Sequence, residues 1–246
     1  MRQNIRLLGW VDGLLLMASR LLERLSGGRA RIVRYHLIAQ PTRHALPFKA
    51  AGSPFSETAF CHPDSPAVAG FPRAGEVIAA RFRRGHECLC TRVGGEFAGF
   101  LWLARAQYDE DEVRCRYRLL APERSAWDYD VYVAPEFRIG RSFFRLWERA
   151  NAHLAAQGID WSFSRISAFN ADSLKSHARL GARRLGSVSF LCMGSAQLTV
   201  ARALPFPHVH LSLSDRSRPR LDLRPPDHEE YSSGWFHPTR LQHPPS

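Results

Sequence analysis

Lysine is almost absent from this 246-residue chain, with Lys49 and Lys175 the only two. Positive charge is therefore carried by arginine, whose planar fork suits carboxylates and phosphates. Long apolar runs are also missing. The best candidate, Leu7 to Leu25, is broken by Asp12 and Arg20, whereas a spanning helix needs about 20 apolar residues with few charges. Arg20-Leu21-Leu22-Glu23-Arg24 stands where a secretory leader would have its small-residue cleavage site, so no leader is expected. The cysteines are few and odd in number: Cys61, Cys88, Cys90, Cys115 and Cys192. Cys88 and Cys90 share one strand face, which is poor disulfide geometry. No Cys-x-x-Cys pair or spaced histidine set suggests zinc. Reduced, mostly buried thiols in a cytoplasmic protein without a metal are expected.

What is present fits a globular protein: 45% hydrophobic and 23% charged residues, enough chain for a sizeable core. The net charge of +11 is uneven. Residues 1–50 hold nine Arg/Lys against two acids, an excess of seven, and the other 196 residues share the remaining four. A basic arm of this kind suits an anionic membrane surface, an acidic partner or nucleic acid, or is simply solvated. The rest of the chain has no basic stripe with interleaved aromatics, so nucleic acid is not expected. The periodicity divides the chain into an amphipathic helical arm (1–28), an α/β domain (29–200) and a Pro/Arg-rich extension (201–246), partly extended or disordered.

In the arm, Leu7, Leu8, Val11, Leu14, Leu15, Ala18, Leu21, Leu22 and Leu25 share one helical face, with Asp12, Ser19, Glu23 and Arg24 away from it. Ser26-Gly27-Gly28 ends the helix. It either packs on the core or lies peripherally on a membrane. Residues 29–39 alternate as the first strand in the chain. Residues 40–71 have little periodicity. A helix is expected over 72–82, then a hairpin of strands 88–93 and 96–104 turning at Gly94-Gly95. The acidic cluster 108–112 precedes a strand over 113–119. It is a solvated turn, a site for a cationic acceptor, or a source of a general base.

The chain is organised around Trp127 to Met193. An alternating strand, 127–133, leads through Ala134-Pro135 into the basic turn Arg138-Ile139-Gly140-Arg141-Ser142 and a helix over 143–157. A strand over 162–169 follows, then Asn170-Ala171-Asp172-Ser173 opening a helix that ends at Leu180-Gly181-Ala182, and a strand over 188–193. A strand feeding a turn that opens a helix gathers free N–H groups and the positive end of the helix dipole at one spot, which favours anions. The alternative is an ordinary strand–helix connection with solvated arginines.

The order Val-x-Pro-x-Phe-Arg-x-Gly, long helix, strand, Asn-x-x-Ser, helix, Leu-Gly-Ala resembles the GCN5-related N-acetyltransferases (GNAT). The resemblance spans about Arg31 to Gln197. It implies an α/β acyltransferase fold: a mixed, twisted central sheet with a splayed strand pair and helices on both faces. It implies acetyl-CoA as co-substrate, acyl transfer to an amine-bearing acceptor, and no metal. In those terms Val131 and Val133 offer backbone to the pantetheine arm. Arg138, Gly140, Arg141 and Ser142 form the pyrophosphate turn, here with a single glycine. Asn170 and Ser173 contact the cofactor arm. His177 stands where many members carry a tyrosine that protonates the leaving thiolate. Asp128 and Asp130, two apart and so on one strand face, are the candidate bases. A rival expectation is a catalytically degenerate CoA-binding or scaffold protein associated with a membrane or acidic partner through its arm. Acceptor identity and oligomeric state are not legible.

Overall fold

The computed structural model describes residues 9–43, 55–138, 141–203 and 208–226. Four helices are described: α1 (Trp10–Leu25), α2 (Gly75–Arg83), α3 (Ser142–Ala156) and α4 (Ala171–Arg179). The strands are β1 (Ala30–Pro41), β2 (Ser56–Cys61), β3 (Glu87–Val93), β4 (Glu96–Ala104), β5 (Gln107–Asp109) and β6 (Arg116–Leu119). They continue with β7 (Ser125–Val133), β8 (Trp161–Ser167), β9 (Arg183–Met193), β10 (Ala196–Ala203), β11 (His208–Ser212) and β12 (Arg220–Leu223).

Nine strands form one mixed sheet in the order β11-β10-β9-β1-β8-β7-β4-β3-β2, and β12-β6-β5 form a second, smaller sheet. Every neighbouring pair in the large sheet is antiparallel except β7 with β8, which run parallel. That pair is joined only over Ser125–Trp127 and Trp161–Phe163, and beyond it the two strands part. β1, first in the chain, sits between β8 and β9 near the middle of the sheet. Gly94 and Gly95 turn the β3–β4 hairpin at φ 61° and 86°, a conformation glycine adopts without steric cost.

Alternation sends side chains to two cores. One holds Tyr35, Leu37, Trp102, Trp127, Tyr129, Phe163 and Phe190, covered by Ile78 and Phe82 of α2 and by Tyr108, Tyr117, Leu221 and Leu223 of the small sheet. The other packs Leu146, Trp147, Ala150 and Leu154 of α3 onto Leu89, Leu101, Leu103 and Ala126. α4 and α1 lie over β1 on the other side from the first core. His177 of α4 meets Gln40, and Asp12 of α1 meets His36.

Three features differ from the sequence expectation. The apolar stripe of α1 does not enter a core. The helix docks through its polar seam: Ser19 Oγ exchanges hydrogen bonds with the backbone of Ile32, and Asp12 accepts from Arg34 Nε at 2.7 Å. Trp10, Val11, Leu14, Leu21 and Leu25 face outward. A buried ion pair on one side of the helix thus outcompetes a leucine stripe for the sheet. Second, an unexpected strand, β2, edges the sheet within the weakly periodic region. Third, the segment expected as a tail contributes β11 to the large sheet and β12 to the small one, where it runs parallel to β6. The boundary placed at residue 200 falls inside β10. Leu7, Leu8, Ile139, Gly140 and residues 227–246 lie outside the described residues.

Candidate functional site

The parting of β7 and β8 is the structural centre of the candidate site. Past Trp127, β7 keeps β4 as its neighbour and loses β8. Ala134 N–H donates to Ala98 O at 2.9 Å. Backbone groups alternate from side to side along a strand, so Val133, and by the same alternation Val131, aim N–H and C=O away from β4 into the open wedge. Arg138 Nε donates to Val133 O at 3.1 Å, so the chain itself satisfies that carbonyl.

The wedge opens toward the starts of both following helices. Arg141 precedes the first residue of α3, and no side chain caps that end. The first-turn N–H groups of an α-helix have no intrahelical partner, so the end remains a donor cluster with Arg138 and Arg141 beside it. Ser142 is buried there. α4 is capped differently: Asn170 Oδ1 accepts from Ser173 N–H at 3.0 Å. This explains Asn170 and Ser173 at their spacing as a helix cap and leaves the Asn170 amide nitrogen without a role in the cap.

Asp128 and Asp130, expected on one face, are on opposite faces. The register of β7 against β4 shifts between Phe100 and Trp102, so Asp130 and Val131 both stand against Leu101. Asp130 takes φ 47°, the left-handed value uncommon for non-glycine residues. This β-bulge reverses the alternation. Asp130 turns to the α2 side, where Arg81 Nη1 donates to it at 2.5 Å and Arg73 Nε at 2.9 Å. The Arg81 guanidinium also lies over the rings of Trp102 and Tyr129, 5.4 and 5.0 Å from their centroids. Burial opposes ionisation of Asp130, but the two arginines outweigh it and hold its carboxyl below the ordinary range. It is a clamped anion with little basicity.

Asp128 remains on the α3 side, fully enclosed where the strands part. Ser162 Oγ of β8 donates to its Oδ2 at 2.6 Å, and Oδ1 has no partner. Burial without a cation pushes its pKa up to about 7, against the smaller opposing effect of Ser162 and Ser164. That is the range in which a carboxyl exchanges protons at neutral pH.

His177 is enclosed between α3 and β1. Its ring meets Phe143 and Trp147 edge-on at 5.7 and 5.4 Å, and Nδ1 lies 3.3 Å from Gln40 Oε1. Burial lowers its pKa to about 4, so the ring is neutral at neutral pH. The acidic cluster is committed to structure: Asp109 pairs with Arg116, Glu110 with Arg165, Asp111 with Arg81, and Glu112 accepts from the Tyr35 hydroxyl.

The sequence did not single out Arg73 and Arg81, which clamp Asp130. Its signal for Arg81 was the position three residues after Ile78, on the inward face of α2. Ser162 was also missed; its signal was the alternation Ser162-Phe163-Ser164, small polar residues on the buried face toward α3. Gly99 of β4 stands opposite Val133 of β7. A Cβ there would be driven into the Tyr132 carbonyl oxygen, so glycine lets β4 approach the bulged part of β7.

Among the described residues no group of His, Cys, Asp or Glu is arranged to hold a metal, and no helix is long and apolar enough to cross a membrane. No protein-family model and no curated protein matches the chain. Solved structures do. A functionally unknown conserved protein from Staphylococcus epidermidis matches at 10% identity and TM-score 0.49, over 71% of this chain and 67% of that one. A GCN5-related N-acetyltransferase from Kribbella flavida matches at 15% identity and TM-score 0.39, over 69% and 62%. A GCN5-related glucosamine N-acetyltransferase region of a fungal multi-domain β-N-acetylglucosaminidase matches at 16% identity and TM-score 0.48, over 70% of this chain and 22% of that one. The chain thus spans less than two thirds of the last two. Likeness at these identities concerns the path of the backbone alone. The chain's own strand order, with a parallel central pair that parts and helices on both faces, is the mixed α/β sheet with a splayed strand pair expected from the sequence.

Proposed function

We propose that the protein is an acyl-CoA-dependent N-acyltransferase, most simply one that moves acetyl from acetyl-CoA to an amine-bearing acceptor. The observation that carries this reading is the unpaired edge of β7 beyond Trp127, opening beside the uncapped start of α3. An extended pantetheine amide would lie along Val131 and Val133, with the Arg138 side chain leaving the Val133 carbonyl. The pyrophosphate would take the first-turn N–H groups of α3, helped by Arg138, Gly140, Arg141 and Ser142. Asn170 and Ser173 would border the arm at the start of α4. Backbone N–H groups in the wedge would stabilise the oxyanion of the tetrahedral intermediate.

Among the three candidate proton carriers, we assign the base to Asp128, with Ser162 as its hydrogen-bonded relay. Asp130 has too low a proton affinity for this task; its role is to hold the bulge that shapes the wedge. His177, neutral in its enclosure, packs the last turn of α4 against α3 and β1. The test is acetyl-CoA turnover across a panel of small amines, amino sugars and peptide N-termini, read as CoA release by chromatography. Asp128→Asn should retain acetyl-CoA binding and lose about 100-fold in kcat, the usual scale of general base catalysis. An unchanged rate would remove Asp128. Binding without turnover across the panel would favour the degenerate, CoA-binding alternative.

A specific observation favours a surface role as well. The outward face of α1 carries Trp10, Val11, Leu14, Leu21 and Leu25, flanked by exposed Arg20 and Arg24, in the most basic part of the chain. Apolar face, tryptophan and flanking arginines are complementary to an anionic lipid surface. Co-sedimentation with phosphatidylglycerol vesicles, and not with phosphatidylcholine vesicles, is expected. Leu14→Glu/Leu21→Glu should abolish it. Equal binding to both lipids, or concentration-dependent dimerisation lost in the same variant, would contradict it.

A further inference from the structure

A second cavity, of about 440 Å³, lies between the start of α1, α4 and β1. It shares α4 with the surroundings of the β7–β8 wedge, through Ala171 and His177, while Ile38, Ile166, Leu174 and Ala178 supply apolar surface. One end is polar. Asp12 is held there between Arg34 Nε and His36 Nε2, at 2.7 and 3.0 Å. Asp12 is held ionised by His36 and Arg34 against its burial. The same ring's Nδ1 is buried with no partner, although His36 is only 4% exposed. This end of the cavity is therefore polar and buried.

The surrounding charge fixes the ligand's sign. Arg184, Lys175 and Arg179 line the cavity, and none of them makes a salt bridge within 4.0 Å among the described residues, although Arg184 is near enough to Asp12 to feel its charge. Asp12 is already satisfied by Arg34 and His36, so the local excess is positive. An apolar trough lined at its polar end by Arg184, Lys175 and Arg179 disfavours cations and gives a fully polar anion nothing to place on Ile38, Ile166 and Leu174.

We propose that this cavity binds an amphipathic anion of the medium-chain carboxylate class. The chain lies along Ile38, Ile166 and Leu174, and the carboxylate sits on the Arg184 guanidinium. The site does not depend on acyl transfer in the wedge. It would tie α1 to α4, because its ligand touches both helices.

The test is calorimetric titration of the full chain with decanoate, with decanol and decyltrimethylammonium as controls of the same chain length. Decanoate should bind saturably, one per chain, about tenfold more tightly than decanol, which corresponds to about 1.4 kcal/mol. The ammonium should not bind. Arg184→Gln should remove most of the preference for decanoate over decanol by deleting a charge-assisted contact. Ala178→Trp should fill the trough and remove binding of both. If that variant does not fold, Leu174→Phe provides the same steric test. No decanoate binding, equal affinity for decanol and decanoate, or affinity unchanged in both Arg184→Gln and the trough-filling variant would each overturn the proposal.

Discussion

Asp128→Asn should stabilise the folded protein, and more so as pH rises. The carboxyl is enclosed where β7 and β8 part, with a hydroxyl donor on one oxygen and nothing on the other. Burial raises its pKa from the ordinary 3.8 to about 7. Below pH 3.8 the group is protonated in both the folded and the unfolded chain and costs nothing. Between 3.8 and 7 the unfolded chain ionises and the folded chain does not, so stability falls as pH rises. Above 7 the full cost is present. At about 1.4 kcal/mol per pH unit, the interval amounts to roughly 4 kcal/mol at most. Asparagine keeps an acceptor for Ser162 Oγ and has no charge to desolvate. Urea unfolding of both proteins at pH 4.5 and pH 8 checks this. The variant's advantage should grow by about 3 kcal/mol between those values. An advantage that does not change with pH would show that Asp128 is ionised freely in the folded state, and the assignment of the base would fall with it.

His177 has the opposite sign. Its pKa is lowered from 6.5 to about 4, so its contribution is complete above 6.5 and is lost as pH falls toward 4. Between pH 7 and 4, wild type should lose on the order of 3 kcal/mol more than His177→Gln in the same unfolding assay. At the bulge, Asp130→Ala should cost about 3 kcal/mol by leaving the buried Arg81 with only the half-exposed Asp111 as its anion. Asp130→Gly should lose the same pair yet be about 1 kcal/mol more stable than the alanine variant, because glycine takes φ 47° without strain; thermal melts of both variants separate the two effects. Gly99→Ala should push β4 from the Tyr132 carbonyl, lowering the melting temperature and any acyl-CoA affinity together. Unchanged melting would mean that the two strands tolerate separation there.

The elements of the central stretch were legible because each carries strong local signals. The helix over 142–156 follows a turn with glycine and ends before Gly158, and α4 announces its own cap through Asn170 and Ser173. The position of β1 was not legible. Alternation marks residues 30–41 as a strand but says nothing of its neighbours, and its place between β8 and β9 is set by pairing with residues 120 or more positions away. Strand periodicity also placed Asp128 and Asp130 together. That inference fails wherever a bulge inserts a residue, and the arginines that hold Asp130 there, Arg81 on α2 and Arg73 just before it, leave no mark on β7 itself. The outward stripe of α1 misleads for a related reason. Amphipathicity gives the angle between two faces and is silent on which face meets the sheet. Here Arg34 and His36, on the facing strand, select the polar one.

The central claim is that the open edge of β7 receives acyl-CoA. Hydrogen exchange at single-amide resolution, with and without saturating acetyl-CoA, tests it most directly. The account predicts slowed exchange at Val131 and Val133 and in the first turn of α3, with β4 amides already paired across the strand unchanged. Binding that leaves Val131 and Val133 exchanging as in the free protein, or no binding of acetyl-CoA or longer acyl-CoAs at all, would contradict it.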